Sequence, residues 1–190
     1  MAVTQHRITA DTLASIELFA KLNRNSRAEF ASMFNGARHP ANVKIVSQND
    51  HSRDVYFVVS GPVRVTYFSS KGREVTFRDQ GPGTMFGELA AVDSKRRSAQ
   101  VITLEESVLA RIAPEHFTAI LAIYPVLISH VLVYFARLIR SFSENVVELS
   151  TRNAASRVRA ELVRLVRDRE PGVTPSKLPR PRRISRLRTV

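Results

Sequence analysis

The sequence predicts an α+β protein: an antiparallel β-sandwich, jelly roll or small barrel flanked by short helices, then a long helix and one more. Three patterns carry this. Between residues 43 and 112 short apolar runs are separated by turn residues at spacings of roughly eight to twelve, the signature of a many-stranded antiparallel domain. On either side of that stretch the apolar residues recur at helical spacing. From residue 152 onward the composition turns strongly basic.

Residues 11–35 read as one or two short helices. Leu13, Ile16, Leu18, Phe19 and Leu22 recur at near-helical spacing, and Asn25-Ser26 can cap a second helix carrying Phe30 and Met33. Strands follow at Val43–Val46, Val55–Val59, Val63–Tyr67, Val75–Phe77, Val101–Leu104 and Val108–Ile112. The residues that divide them are good turn formers: Asn49-Asp50, Ser60-Gly61, Ser69 to Gly72, and Gly81-Pro82-Gly83. After Pro114 a short helix takes Glu115–Ile123. Pro125 suits a first helical turn and opens the longest periodic stretch, 126–149. Its apolar residues Ile128, Leu132, Phe135, Leu138/Ile139, Phe142, Val146 and Leu149 recur about every 3.5 residues, the spacing of a helix–helix seam. Val131, Val133 and Tyr134 widen the face in the first half, so that side packs on the β domain. A helix from about Asn153 to Arg169 buries Val158, Leu162, Leu165 and Val166 and stops at Pro171-Gly172. The Pro- and Arg-rich remainder lacks apolar periodicity and is expected to be disordered.

Composition narrows the function. The 190 residues contain no cysteine, which excludes disulfides, thiolate zinc sites, cysteine-ligated iron–sulfur clusters and a cysteine nucleophile. The five histidines (His6, His39, His51, His116, His130) show no paired spacing, so neither a metal nor a metal-dependent oxygenase is expected. No catalytic residue is assigned. No uninterrupted apolar run reaches membrane-spanning length, and the N-terminus lacks the basic-then-apolar pattern of a signal peptide; the expectation is a cytoplasmic protein without a membrane partner. Net charge is +12, unevenly spread. Residues 152–190 hold eleven arginines and Lys177 against Glu161, Asp168 and Glu170, which is +9 and leaves only +3 for the rest. A balanced body with a basic end suggests a sensing unit followed by a segment that meets a polyanion.

One segment carries chemistry: Gly81-Pro-Gly-Thr-Met-Phe-Gly-Glu-Leu-Ala90, then Arg97-Ser98-Ala99. A helical turn beginning near Gly87 offers free N–H groups to an anion. Arg97, nine residues after Glu88, can return to the same pocket with a planar fork suited to phosphate, and Ser98 adds a hydroxyl. Glu88 can accept hydrogen bonds from a sugar hydroxyl. A plain structural Glu88–Arg97 ion pair is the simpler alternative.

The segment and the strands leading to it resemble the cyclic nucleotide-binding domain, whose phosphate-binding cassette reads G-E-L-A, a short variable stretch, then R-[ST]-A. Gly87-Glu88-Leu89-Ala90 and Arg97-Ser98-Ala99 match it residue by residue. Tyr56-Phe-Val-Val-Ser-Gly61 resembles the family's strand and glycine turn, and Gly81-Pro-Gly83 the turn before the cassette. The resemblance implies a β-roll over residues 1–125 that binds a cyclic nucleotide and no metal. Glu88 would read the ribose 2′-hydroxyl, Arg97 would pair with the cyclic phosphate, and the Gly87 and Leu89 amides with Ser98 would complete the cradle.

The order of elements further resembles transcription regulators of the cyclic-AMP receptor protein (Crp/Fnr) superfamily. That implies a homodimer through residues 126–149, a hinge at Glu148–Arg152, and a winged helix-turn-helix beginning with residues 153–170 and acting on DNA. The family's base-contacting hydroxyls would fall near Phe142-Ser143; Ser143 keeps a hydroxyl, whereas Phe142 departs from a Thr-Ser pair. Cyclic AMP is the expected effector, with cyclic GMP left open. Only 20 residues follow Glu170. Residues 171–190 read as a basic tail rather than a recognition helix and wing, so the DNA module is expected to be truncated or frame-shifted. The other reading is a stand-alone cyclic-nucleotide sensor acting on a protein partner without sequence-specific DNA binding.

Overall fold

Alternating burial builds the β domain. In the computed structural model, which describes residues 3–69, 74–151, 161, 162 and 164, β1 (Thr4–His6), α1 (Ala10–Ala14), α2 (Arg24–Ala31) and β2 (Phe34–His39) come first. They are followed by β3 (Lys44–Val46), β4 (Val55–Ser60), β5 (Val63–Phe68), β6 (Glu74–Gln80), β7 (Met85–Phe86), α3 (Glu88–Asp93), β8 (Gln100–Thr103) and β9 (Ser107–Ile112). Helices α4 (Pro114–Ile123) and α5 (Pro125–Thr151) follow. The strands form two antiparallel sheets, ordered β1-β2-β9-β4-β7 and β3-β8-β5-β6. Val46, Val58, Val63, Val65, Phe86, Ala99, Val101 and Leu109 make one buried cluster drawn from both sheets, so the core lies between them. Each fully buried Val, Leu or Phe contributes about 1.5–3 kcal/mol relative to exposure. At the β4–β5 turn Gly61 has φ 75°, and a Cβ there would come within 2.7 Å of the Ser107 Cα. Only glycine fits that crossing.

The six expected strands are present, together with three that alternation did not reveal: β1, β2 and β7. The N-terminal helices are shorter than expected. After α1 the chain makes successive turns, with Ile16 N–H bonded to Leu13 O, Phe19 N–H to Ile16 O and Leu22 N–H to Phe19 O at 3.2, 3.0 and 3.0 Å. These turns bury Leu13, Ile16, Phe19 and Leu22 without a continuous helix. The cap of α2 is Asn23 rather than Asn25-Ser26; its Oδ1 accepts from Ser26 N–H at 2.9 Å. Phe57 on β4 ties this region together, with ring centroids 5.2 Å from Phe19, 5.8 Å from Phe34 and 6.3 Å from Phe117 on α4.

The chain divides into one unit up to Tyr134 and a second from Phe135. In the first, α5 buries Leu127 and Val131, whereas Val133, expected on the packed face, is exposed. Helix α5 runs unbroken through Thr151, so residues 148–151 are helical where a hinge was expected. Arg152 and the tail at 171–190 lie outside the described residues. Of the expected helix at 153–170, residues 161, 162 and 164 are described as helical, and Leu162, expected on its buried face, is exposed. The segment Pro125–Glu144 is long and apolar enough, by length and composition alone, to cross a membrane. Counting uninterrupted apolar residues missed this, because His130 and Arg137 break the run without making the segment polar.

Candidate functional site: the Gly87–Ala99 cassette

Gly87 links β7 to α3 and has φ 84°, in the left-handed region. A Cβ at Gly87 would collide with the Arg97 guanidinium and come within 2.9 Å of the Asp54 carbonyl oxygen. The glycine is therefore needed both for the turn and to admit Arg97 against the backbone. Arg97 returns from the loop after α3 and is only 3% exposed. Its Nη1 donates to the Gly87 carbonyl (2.9 Å), its Nη2 to the Asp54 carbonyl (2.7 Å) and its Nε to Ser52 Oγ (3.1 Å). The Asn49-Asp50 turn clamps its backbone: Asn49 N–H bonds Arg97 O at 2.8 Å and Arg97 N–H bonds Asp50 O at 3.0 Å. Asp50 in turn fixes Ser52, accepting from its N–H and its hydroxyl. The guanidinium lies 5.9 Å from the centroid of Tyr56, whose ring stacks on Phe86 at 5.0 Å. Burial pulls the guanidinium's pKa down, opposed by Tyr56, Asp54, Asp50 and Glu88, and an arginine stays charged through such a shift.

Glu88 opens α3 and is 4% exposed. Burial pushes its carboxyl above the ordinary value of 4.5; its own N–H, Arg78, Tyr134 and Arg97 act the other way. Among the described residues Glu88 and Arg97 make no ion pair with each other, so the simpler structural pairing is not what holds this loop. Glu88 instead receives a 3.4 Å contact from the Tyr134 hydroxyl of α5. A carboxyl whose folded pKa is raised binds more protons folded than unfolded. Its cost is therefore absent below 4.5 and grows as pH rises through the shifted value. Glu88→Gln is accordingly expected to raise the unfolding temperature of the ligand-free protein at neutral pH and to leave it unchanged near pH 4, read by thermal denaturation across pH. Lower stability of the variant at neutral pH would contradict this.

The remaining expected site residues divide by position. Ala90 and Ala99 are buried, whereas Leu89 and Ser98 are exposed. Gly87, Glu88, Leu89, Ala90, Arg97, Ser98 and Ala99 all belong to the first unit. Ser143 belongs to the second, and its hydroxyl donates back to Ile139 O at 3.0 Å on its own helix. Sequence reasoning missed Ser52, the Asp54 carbonyl, Arg78 and Tyr134. None of these carries a signal in the sequence: Arg78 sits among polar residues of β6, and Tyr134 reads as part of the apolar face of α5. No group of three or more His, Asp or Glu side chains among the described residues is placed to hold a metal ion.

Comparison with known proteins identifies the domain. Residues 37–124 match the cyclic nucleotide-binding domain family. The chain is 30% identical over 136 residues to the cyclic AMP receptor protein of Thermus thermophilus, covering 72% of this chain and 63% of that one. It is 25% identical over 134 residues to the cAMP-activated global transcriptional regulator CRP of Haemophilus influenzae, covering 70% and 60%. The crystal structure of the Thermus thermophilus catabolite activator protein superposes with a TM-score of 0.64 at 29% identity, covering 84% of this chain and 73% of that one. The matched region spans roughly three fifths of the length of these two curated relatives. The chain carries a domain of the cyclic nucleotide-binding family and has homologues among regulators of the cyclic-AMP receptor protein type.

Proposed function

We propose that the chain is a cyclic-nucleotide-responsive regulator of the Crp/Fnr type, with cyclic AMP as effector and Arg97 as the group that grips the cyclic phosphate. The observation that carries this is the state of Arg97: buried, charged, and only partly spent. A guanidinium has five N–H donors. Three are used on Gly87, Asp54 and Ser52, which leaves one on each terminal nitrogen. A buried monoanion needs one matched cation with fixed donors, or its desolvation is not repaid. Arg97, held by these three anchors, meets that need without giving them up. Glu88 then accepts from the ribose hydroxyl.

Output runs through α5. Ile128, Leu132, Ile139, Phe142 and Val146 are exposed at alternating steps of four and three once Phe135 is counted. That is the spacing of a heptad seam, and it supports a homodimer of this chain through residues 126–149 better than a membrane span. A shift between two dimer arrangements would carry the ligand signal to a DNA-binding segment. Thermal unfolding with cyclic AMP, cyclic GMP and 5′-AMP tests the ligand. At a hundredfold excess over Kd the cyclic nucleotide stabilises by about 2.7 kcal/mol, a rise of about 5–10 °C for a chain of this size. Equal or zero shifts for all three would reject the reading.

A further inference from the structure

We propose that Tyr134 is a positioning residue for the Glu88 carboxylate, tying the sugar-reading corner of the site to α5; this deepens the nucleotide-binding reading and rests on it. Tyr134 belongs to the same unit as the cassette and is reached from three sides. Arg78 Nη2 on β6 donates to its hydroxyl at 2.7 Å, and the guanidinium lies 5.7 Å from its ring centroid. With its lone pair so engaged, the hydroxyl has one proton to give. The Met85 carbonyl at 3.2 Å and Glu88 Oε1 at 3.4 Å both lie within its reach. Gln80 fits the same arrangement: with its amide oriented to satisfy both neighbours, its nitrogen donates to the Met85 carbonyl (3.1 Å) and its oxygen accepts from Arg78 Nε (2.9 Å).

Each part has a consequence. Glu88 sits at the first position of α3, where its own N–H acts on its carboxylate and the Tyr134 hydroxyl reaches it from α5. A hydrogen bond from a cation strengthens the donor on the far side of the hydroxyl. The Arg78–Tyr134 pair therefore supplies Glu88 with a polarised donor whose proton is shared with Met85. A ribose hydroxyl arriving at Glu88 changes the balance of that sharing, and the tyrosine that feels the change is part of α5. Such a differential contact between bound and free states is what a ligand needs in order to bias a helix, and the coupling acts equally in both directions.

The test is calorimetric titration of wild type, Tyr134→Phe and Arg97→Ala with cyclic AMP and with 2′-deoxy cyclic AMP. Tyr134→Phe keeps the ring and removes only the hydroxyl. It is expected to lower the preference for cyclic AMP over its deoxy analogue by about three- to tenfold, with the affinity for the deoxy analogue little changed. A purely structural tyrosine would weaken both ligands alike; that result, or an unchanged preference, overturns the proposal. Glu88→Gln with Tyr134→Phe gives a second check, since the double variant should discriminate no less than Glu88→Gln alone; full additivity would count against the link. If wild type binds neither nucleotide, the binding reading fails and this inference with it. If wild type binds and Arg97→Ala weakens both ligands while Tyr134→Phe leaves the preference intact, only the role of Tyr134 is lost.

Discussion

Arg97→Ala is expected to weaken cyclic-AMP binding by at least about a hundredfold, because it leaves the phosphate charge in a buried site without a cation. The substitution also removes three hydrogen bonds to Gly87, Asp54 and Ser52. Two of the orphaned acceptors are carbonyls of half-buried residues, so the stability cost should stay within about 1–3 kcal/mol. Affinity and stability are separable: calorimetry gives the first and chemical denaturation the second. Arg97→Lys sharpens the distinction. It restores the charge but not the fork that reaches Gly87 and Asp54 together, and should recover only part of the affinity. Unchanged binding in Arg97→Ala, in a folded variant, would remove Arg97 from the site.

Ile139→Asp is expected to dissociate the proposed dimer while leaving each protomer folded. Ile139 is 64% exposed in the single chain, and Leu132 and Val146 along the same stripe are 62% and 61% exposed. Substitution of so exposed a side chain alters the stability of the protomer by no more than about 0.5 kcal/mol. Placed at the centre of a two-helix seam, the same carboxylate meets its twin in an apolar layer, which costs several kcal/mol and shifts dimerisation by about a hundredfold or more. Sedimentation velocity should show a dimer for wild type and a monomer for the variant at micromolar concentration. A variant that still dimerises would place the interface elsewhere.

How much of this was legible in the sequence depends on whether a feature has a period. The strands at 55–60, 63–68 and 107–112 declare themselves by branched apolar residues between turn formers. Strand β2, Phe34-Asn-Gly-Ala-Arg-His39, does not, because Gly36 stands where a Cβ would strike the Ile8 side chain and a polar residue sits on either side of the small ones. Strand β7 is two residues set within a glycine-rich turn. The cassette was readable because Gly87, Glu88 and Arg97 form a spaced string. Its supports were not. The partners of Arg97 are two main-chain carbonyls and a loop serine, and carbonyls leave no mark on a sequence. Tyr134 reads as one more apolar residue of α5, and only the fold shows that its hydroxyl faces Met85, Arg78 and Glu88.

The Glu88–Arg97 pair also shows why local chemistry alone would mislead. A buried acid and a buried base nine residues apart suggest mutual neutralisation, yet each is held by other groups. Glu88 is kept at a cost to stability, as its raised pKa indicates, and a group held at such a cost is expected where ligand recognition repays it.

The most direct test of the central claim is a crystal structure of the protein with cyclic AMP bound. The cyclic phosphate is expected within hydrogen-bonding distance, about 3 Å, of both terminal nitrogens of Arg97, with the guanidinium still donating to Gly87 and Asp54. Nucleotide density anywhere else, with Arg97 spent only on its present partners, would contradict it.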